Sequence, residues 1–250
     1  MKDTLPPLVM VGCMLATGCA TSPLPNTPAQ EQRVARGPWS EVPAVEMPTG
    51  DTSIPIDLLR DVANALLQRP GAKVCDPMTK RPIVGLSTEY CSTVYVAGDR
   101  DSLSWRVTEP IQGNHESCFP FFAVQDDDHP ASQVWVVGYI HNHPCGALPS
   151  SLDLRAWPTD SFRPHIAMAE VRLLPGNPRP AVYKNTGIEM ASAMVAELQD
   201  GTRVFLRYFP TGDVQQWSTT KEGWVTLGRC TPRRDGREPQ CDKPLRLLRE

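Results

Sequence analysis

Two histidines separated by one residue, His141 and His143, are the side chains best placed to do chemistry. They follow an apolar run, residues 134–140, whose β-branched and aromatic residues predict a buried strand. Because side chains alternate along a strand, the two imidazoles point to the same face and can bind one divalent metal ion. Asp153, ten residues after His143, offers a carboxylate as third ligand, which leaves the fourth position of a zinc ion open to water.

This stretch resembles the signature of the JAMM (MPN+) metallopeptidases, which reads His-x-His-Pro, a short loop, then Ser-x-x-Asp at the start of a helix. The matching residues here are His141, His143 and Pro144, followed by Ser150 and Asp153. Bacterial members often read His-Asn-His-Pro-x-Gly, as residues 141–146 do. The loop between His143 and Ser150 is one residue shorter than the usual pattern. The resemblance spans residues 54–185 and is most specific at this loop.

The family also carries a glutamate upstream, at the start of a strand and just before a Cys-Gly pair. Glu89 is the best match, since Cys91 follows it closely, although Ser92 stands where the family has glycine. Glu109 and Glu116 also precede the loop of residues 144–149, here called the metal loop, and stay open as alternatives.

The resemblance implies a role for each of these residues. His141, His143 and Asp153 would hold Zn²⁺, and Glu89 would be the general base that takes a proton from water and returns it to the leaving amine. Ser150 would donate a hydrogen bond to the oxyanion of the tetrahedral intermediate. From spacing alone, Ser150 and Asp153 also suit a helix N-cap and its N3 partner, and the two roles are compatible.

The helices and strands predicted around these residues indicate an α+β fold. We expect a mixed sheet flanked by helices, followed by a C-terminal antiparallel meander. The resemblance implies an MPN-like sheet with a layer order similar to that of cytidine deaminases. Apolar spacing predicts a helix over residues 57–67. The resemblance implies another helix that begins at Ser150. Asp200-Gly201 predicts a hairpin turn. Strands are expected at residues 83–86, 93–97, 104–108, 134–140, 166–174, 181–184, 193–198, 203–209, 214–217 and 224–227.

The N-terminus resembles a bacterial lipoprotein signal peptide. Residues 5–18 form an apolar run too short to span a bilayer, and residues 15–19, Leu-Ala-Thr-Gly-Cys, resemble a lipobox. Cys19 would then carry lipid and become the mature N-terminus. We therefore expect a signal peptide at 1–19, a disordered Pro-rich tether at 20–53, a JAMM-like domain at 54–229 and a Pro/Arg-rich tail at 230–250.

Cysteine usage is in keeping with export. Apart from Cys13 and Cys19, the even number of cysteines and the absence of Cys-x-x-Cys favour disulfides over a second zinc site. The candidates are Cys75, Cys91, Cys118, Cys145, Cys230 and Cys241. Proximity in sequence favours Cys230–Cys241, while Cys75–Cys91 and Cys118–Cys145 are guesses among many connectivities.

Charge gives no sign of nucleic-acid binding, because the net charge is −3 and the only basic cluster lies in the tail, residues 233–249. The sequence therefore predicts a zinc-dependent peptidase or isopeptidase of the bacterial envelope, lipid-anchored at the outer membrane or cell surface. Its substrate would be a peptide or protein of that compartment. A catalytically inactive MPN-type binding or scaffold module is the alternative, and the oligomeric state stays open.

Overall fold

The computed structural model describes residues 33–48, 52–99, 101–155, 174–178, 188–231 and 239–250. The strands are β1 Val34–Gly37, β2 Val45–Glu46, β3 Tyr90–Asp99, β4 Ser102–Val107, β5 Ile111–Gln112, β6 Ala123–Asp126, β7 Val134–His143, β8 Ala191–Glu197, β9 Arg203–Tyr208, β10 Asp213–Ser218, β11 Gly223–Thr231 and β12 Gln240–Cys241. The helices are α1 Ile56–Leu66 and α2 Ser151–Leu154, with a 3₁₀ turn at Ala131–Gln133.

Ten of these strands form one mixed sheet in the order β12-β11-β10-β9-β8-β7-β3-β4-β2, with β5 paired to β3. The pairing of β7 with β8 is parallel, and the other pairings in this sheet are antiparallel. The predicted mixed sheet is present, but the described residues contain far more strand than helix, so the fold is dominated by its sheet.

A helix packs on one face of the sheet because its apolar residues recur at helical spacing. Leu58, Leu59, Val62 and Leu66 of α1 are buried and join a core with Val94, Val96, Val137 and Ile140 from β3 and β7. Asp57 in the first turn interacts favourably with the helix dipole. On this face of the sheet, α1 therefore packs against the central strands β3 and β7.

The opposite face of the central strands carries the second core cluster and the predicted site. Tyr139 belongs to it together with Cys91 and Tyr95 of β3. The register of β3 against β7 shifts between Val94 and Tyr95, which marks a β-bulge. After the bulge, residues 139, 141 and 143 share this face, so the alternation predicted for the two histidines holds in the folded chain.

The predicted tether is wrong over residues 34–48, which belong to the folded unit. β1 pairs in parallel with β6, and β2 pairs with β4. Trp39 and Val42 between them are buried in the core beside α1. The sequence did not reveal this because the segment as a whole contains few apolar residues, and only a few of them enter the core. Residues 1–32, with the predicted signal peptide and Cys19, lie outside the described residues.

The predicted strand at residues 83–86 is also wrong. This segment forms turns closed by a hydrogen bond from Leu86 N to Ile83 O, and Gly85 has a φ of +79°. Val84 and Leu86 are exposed, so the apolar run has no sheet to pair with and no core to enter. Residues 166–173 and 181–184 of two other predicted strands lie outside the described residues.

The C-terminal part follows the predicted meander and then continues past its expected end. β8 and β9 form the hairpin around Asp200-Gly201, and β10 and β11 extend it by antiparallel pairing. The supposed tail adds β12, and Leu245, Leu247 and Leu248 pack against the core cluster. The domain boundary at residue 229 is therefore wrong, because the chain contributes apolar side chains up to residue 248.

Among the residues that the structure describes there are two disulfides, Cys75–Cys145 and Cys230–Cys241. The second confirms the pairing expected from sequence proximity. The guesses Cys75–Cys91 and Cys118–Cys145 are wrong, since Cys75 and Cys145 are joined across a separation of 70 residues and Cys91 and Cys118 are not bridged. Within the described ranges, no helix combines the length and apolar character needed to cross a membrane.

Candidate metal centre

The register of β3 against β7 brings Glu89 to the histidine pair. Cys91 and His141 are Cα partners in this antiparallel ladder. Continuing the register by two residues places Glu89, just before β3, beside His143 at the end of β7. The distance from Glu89 Oε1 to His143 Nε2 is 3.9 Å.

Asp153 enters the site from the first turn of α2, where Ser150 is the N-cap. Ser150 and Asp153 form a capping box, with Asp153 N donating to Ser150 Oγ at 3.1 Å and Ser150 N donating to Asp153 Oδ2 at 2.7 Å. Ser150 Oγ also donates to Asp153 Oδ2 at 2.7 Å. The predicted N-cap is thus present, and it fixes the orientation of the Asp153 carboxylate.

The Asp153 carboxylate contacts both imidazoles. Its Oδ1 lies 3.1 Å from His141 Nε2, and its Oδ2 lies 3.1 Å from His143 Nε2. Ligands about 2.0–2.1 Å from a tetrahedral zinc ion lie about 3.4 Å from each other, so these separations suit donors around one ion. Donor atoms of Glu89, His141 and His143 also lie within 4.8 Å of one another. The loop shortened by one residue still delivers Asp153 to the histidines.

The burial of these side chains gives a test of whether a metal fits. His141, His143, Asp153 and Glu89 are all buried, at 1%, 7%, 8% and 6% exposure. Nε2 of His141 makes no hydrogen bond to the protein, although it faces Asp153. A buried nitrogen without a partner costs free energy, which coordination to a metal ion would relieve. The donor set of imidazoles and carboxylates fits such an ion.

The pKa values of the two carboxylates, Glu89 and Asp153, are shifted in opposite directions. The pKa of Glu89 is raised to about 7, chiefly by burial, with the charge of His143 lowering it and the charges of Asp153 and Glu116 raising it. Burial acts the same way on Asp153, but the charges of His141 and His143, with the hydrogen bond between His143 and Asp153, outweigh it and hold the pKa of Asp153 well below its usual range. Asp153 therefore stays anionic, whereas Glu89 can hold or release a proton near neutral pH.

Glu89 is the glutamate that reaches the site, among the three that the sequence left open. Glu109 is exposed, and its backbone N–H donates to Arg36 O. The Glu116 side chain is 74% exposed and pairs with His115. Both remain outside the group of donor atoms formed by Glu89 and the two histidines.

Sequence reasoning gave no role to Asn142, the residue between the histidines. Its side chain points to the other face of β7, is fully buried, and accepts a hydrogen bond from Tyr90 N at 2.7 Å. Its amide group donates to Ala72 O at 2.8 Å and to Thr88 O at 3.1 Å. Asn142 thus fixes the backbone on both sides of Glu89. The available signal was a polar residue on the face of β7 opposite the two histidines, where the other side chains are apolar.

The disulfide Cys75–Cys145 is a second connection between the same two segments. Cys145 follows the histidines by two residues, and Cys75 lies shortly after Ala72, which Asn142 contacts. The segment before Glu89 is therefore attached to the metal loop by a covalent bond and by hydrogen bonds.

Comparisons of the chain with protein-family models, with curated proteins and with solved structures give no match. What is established is a sheet-dominated fold with a buried group of Glu89, His141 and His143 that could hold a metal ion, and with the Asp153 carboxylate in contact with both histidines.

Proposed function

We propose that this protein is a zinc-dependent peptidase or isopeptidase with an MPN-like domain. The observation that carries the proposal is the convergence of His141 and His143 with two carboxylates whose pKa values are pushed apart. A carboxylate kept anionic serves as a ligand, and one poised near neutral pH serves as a general base. Such a division of roles is typical of hydrolytic sites rather than of structural metal sites.

His141, His143 and Asp153 would hold the ion, because Asp153 lies 3.1 Å from both imidazole nitrogens. Bound there, Zn²⁺ would lower the pKa of water toward neutrality and polarise a carbonyl group. Glu89 would accept a proton from water and return it to the leaving amine, as its raised pKa favours. Ser150 orients Asp153 in this structure, and its further role as oxyanion donor stays a prediction.

The first experiment measures metal. Protein purified without chelators is expected to bind one equivalent of Zn²⁺ by elemental analysis, and His141→Ala is expected to lose it. Protein that contains no zinc and takes none up on titration would contradict the proposal.

The second experiment measures turnover on a peptide library, because the substrate is not defined. Glu89→Gln removes the proton acceptor with little change of shape, so it should keep zinc and lose activity by a factor on the order of 10²–10⁴. The matched control is Glu109→Gln, the same change at an exposed residue, which should cleave like wild type. Equal cleavage by wild type and Glu89→Gln would exclude Glu89 as the base. Zinc binding without any cleavage would favour the binding module.

We further propose that the protein is exported to a bacterial envelope and anchored there through Cys19. The lipobox-like residues 15–19 and two disulfides support an oxidising compartment. Replacing Cys19 with Ala should move the protein from the membrane fraction to the soluble fraction. Wild-type protein found in the cytoplasm with reduced cysteines would contradict this location.

A further inference from the structure

Two cysteines lie beside the candidate metal centre without a role in the proposed reaction. Cys91 of β3 is completely buried and is the Cα partner of His141. Cys118 lies in the connection between β5 and β6 and is partly buried against the core cluster that contains Cys91. The other described cysteines are bridged, so these two are the remaining thiols of the described residues.

The backbone around Cys118 is held across the face of β3 that carries Cys91. Along β3, Cys91 and Thr93 share a face because side chains alternate. Thr93 Oγ1 donates to Phe121 O at 2.5 Å, which fixes the chain just after Cys118.

The chain just before Cys118 is fixed at the start of the same strand. Gly113 N donates to Glu89 O at 2.8 Å, and Asn114 N donates to Ser117 O at 2.9 Å. Cys118 therefore lies between two attachment points that bracket Cys91, and burial together with the neighbouring Cys91 thiol raises the pKa of the Cys118 thiol.

Metal binding does not account for this pair of sulfurs. Across the described ranges, the donor atoms close enough to share an ion come from Glu89, His141 and His143, with the Asp153 carboxylate in contact with both histidines, and neither sulfur belongs to this cluster. A catalytic thiol would need access to substrate, which complete burial denies to Cys91. Two adjacent thiols in a chain that already carries disulfides can be oxidised to a third disulfide.

We propose that Cys91 and Cys118 form a third disulfide, which joins β3 beneath the metal centre to the connection between β5 and β6. The reaction needs a disulfide oxidant such as an envelope thiol oxidase or oxidised glutathione. The partly buried Cys118 thiolate attacks the S–S bond of the oxidant, which forms a mixed disulfide and releases one of the oxidant's sulfurs as a thiol. The Cys91 thiolate then attacks Cys118 Sγ in the mixed disulfide and releases the oxidant's other sulfur as a thiol. The two cysteines lose two protons and two electrons, and the oxidant is reduced to two thiols. The proposal does not depend on peptidase activity.

The test maps disulfides in the full chain, equilibrated in glutathione buffers of increasing oxidised fraction. Each sample is denatured, alkylated without reduction, digested and analysed by mass spectrometry. The buffers are made more oxidising until the Cys75–Cys145 and Cys230–Cys241 peptides are linked, so these pairs are the internal control. We expect a linked peptide containing Cys91 and Cys118 under the same conditions.

Alkylation of both Cys91 and Cys118 while the control pairs are linked would overturn the proposal. So would a stable mixed disulfide of either residue with glutathione, or a bridge to a different cysteine. The variant Cys118→Ala gives a second test of whether Cys118 is the residue bonded to Cys91 in the wild-type protein. It should expose one alkylatable thiol, Cys91, and leave both control pairs linked.

Discussion

Glu89 is a carboxyl group whose surroundings oppose its charge. Burial raises its pKa to about 7 from an ordinary value of 4.5, and the Asp153 and Glu116 charges act in the same direction. The protonated form is thus favoured in the folded, metal-free protein. Such an environment lowers stability but suits a general base, because an ordinary glutamate carboxylate binds protons too weakly to be an efficient base at neutral pH.

The first prediction concerns the metal-free protein and follows from the coupling between protonation of Glu89 and the stability of the fold. Since the folded pKa is raised, the favourable contribution of Glu89 is complete below pH 4.5 and is lost as pH rises through about 7. Between these limits wild type should lose on the order of 3 kcal/mol of unfolding free energy relative to Glu89→Gln. Urea unfolding of both proteins in chelator, across this pH range, measures the difference. Glu109→Gln, at an exposed position, should follow wild type, and parallel pH profiles for all three would contradict the raised pKa.

Asn142 gives the second prediction at the residue scale. Asn142→Ala removes the partner of Tyr90 N and of two backbone carbonyls at a fully buried position. Leaving such groups unsatisfied should lower the unfolding free energy by about 2–3 kcal/mol. Because these bonds fix the backbone beside Glu89, turnover should fall more than zinc affinity. Asn64→Ala, the same change on the exposed side of α1, should alter stability by about 0.5 kcal/mol or less.

At the scale of elements, two segments make the site: the metal loop after β7 and the segment that leads into β3. Asn142 and the Cys75–Cys145 disulfide connect them. The other disulfide, Cys230–Cys241, connects β11 and β12 at the far edge of the sheet. The two bonds therefore provide a matched pair, one attached to the site and one remote from it.

Replacing both cysteines of each bond with serine should separate stability from site geometry. With a sequence separation of 70 residues, loss of Cys75–Cys145 should cost about 4 kcal/mol in the chain-entropy account. With a separation of 11, loss of Cys230–Cys241 should cost about 3 kcal/mol. Zinc affinity, measured by competition with a chromophoric chelator, should fall only in the Cys75/Cys145 variant. Equal affinity in both variants would mean that the bond does not position the metal loop.

At the scale of the whole molecule, the fold is closed by segments from both ends of the described chain. Trp39 donates its backbone N–H to Val107 O at 2.8 Å and is 2% exposed, with the Arg69 guanidinium 5.1 Å from its ring. From the other end, Leu245, Leu247 and Leu248 cover the opposite core. Neither segment is an appendage that can be removed without exposing apolar surface.

Trp39→Ala should therefore lower the unfolding free energy by about 3–5 kcal/mol, the cost of deleting a large buried aromatic side chain. Ser40→Ala, at the neighbouring exposed residue, should change it by about 0.5 kcal/mol or less. Denaturant unfolding of both variants measures this. If Trp39→Ala were as stable as wild type, this segment would not be part of the core, and the disordered tether expected from the sequence would be the better description of it.

Local rules let the sequence determine several features by itself. The alternation of side chains placed His141 and His143 on one face, and the Ser-x-x-Asp spacing specified the capping box of Ser150 and Asp153. Asp200-Gly201 specified a hairpin turn. In each case the interacting residues are a few positions apart, so backbone geometry fixes their relation.

Other features depended on contacts between distant residues, which no local pattern encodes. The register of β3 against β7 brought Glu89 rather than Glu109 or Glu116 to the site. The pairing of Cys75 with Cys145 followed from the same approach of two segments 70 residues apart. Tertiary structure alone also decided that Trp39 is buried and Val84 exposed, since apolar side chains become core only where another surface covers them.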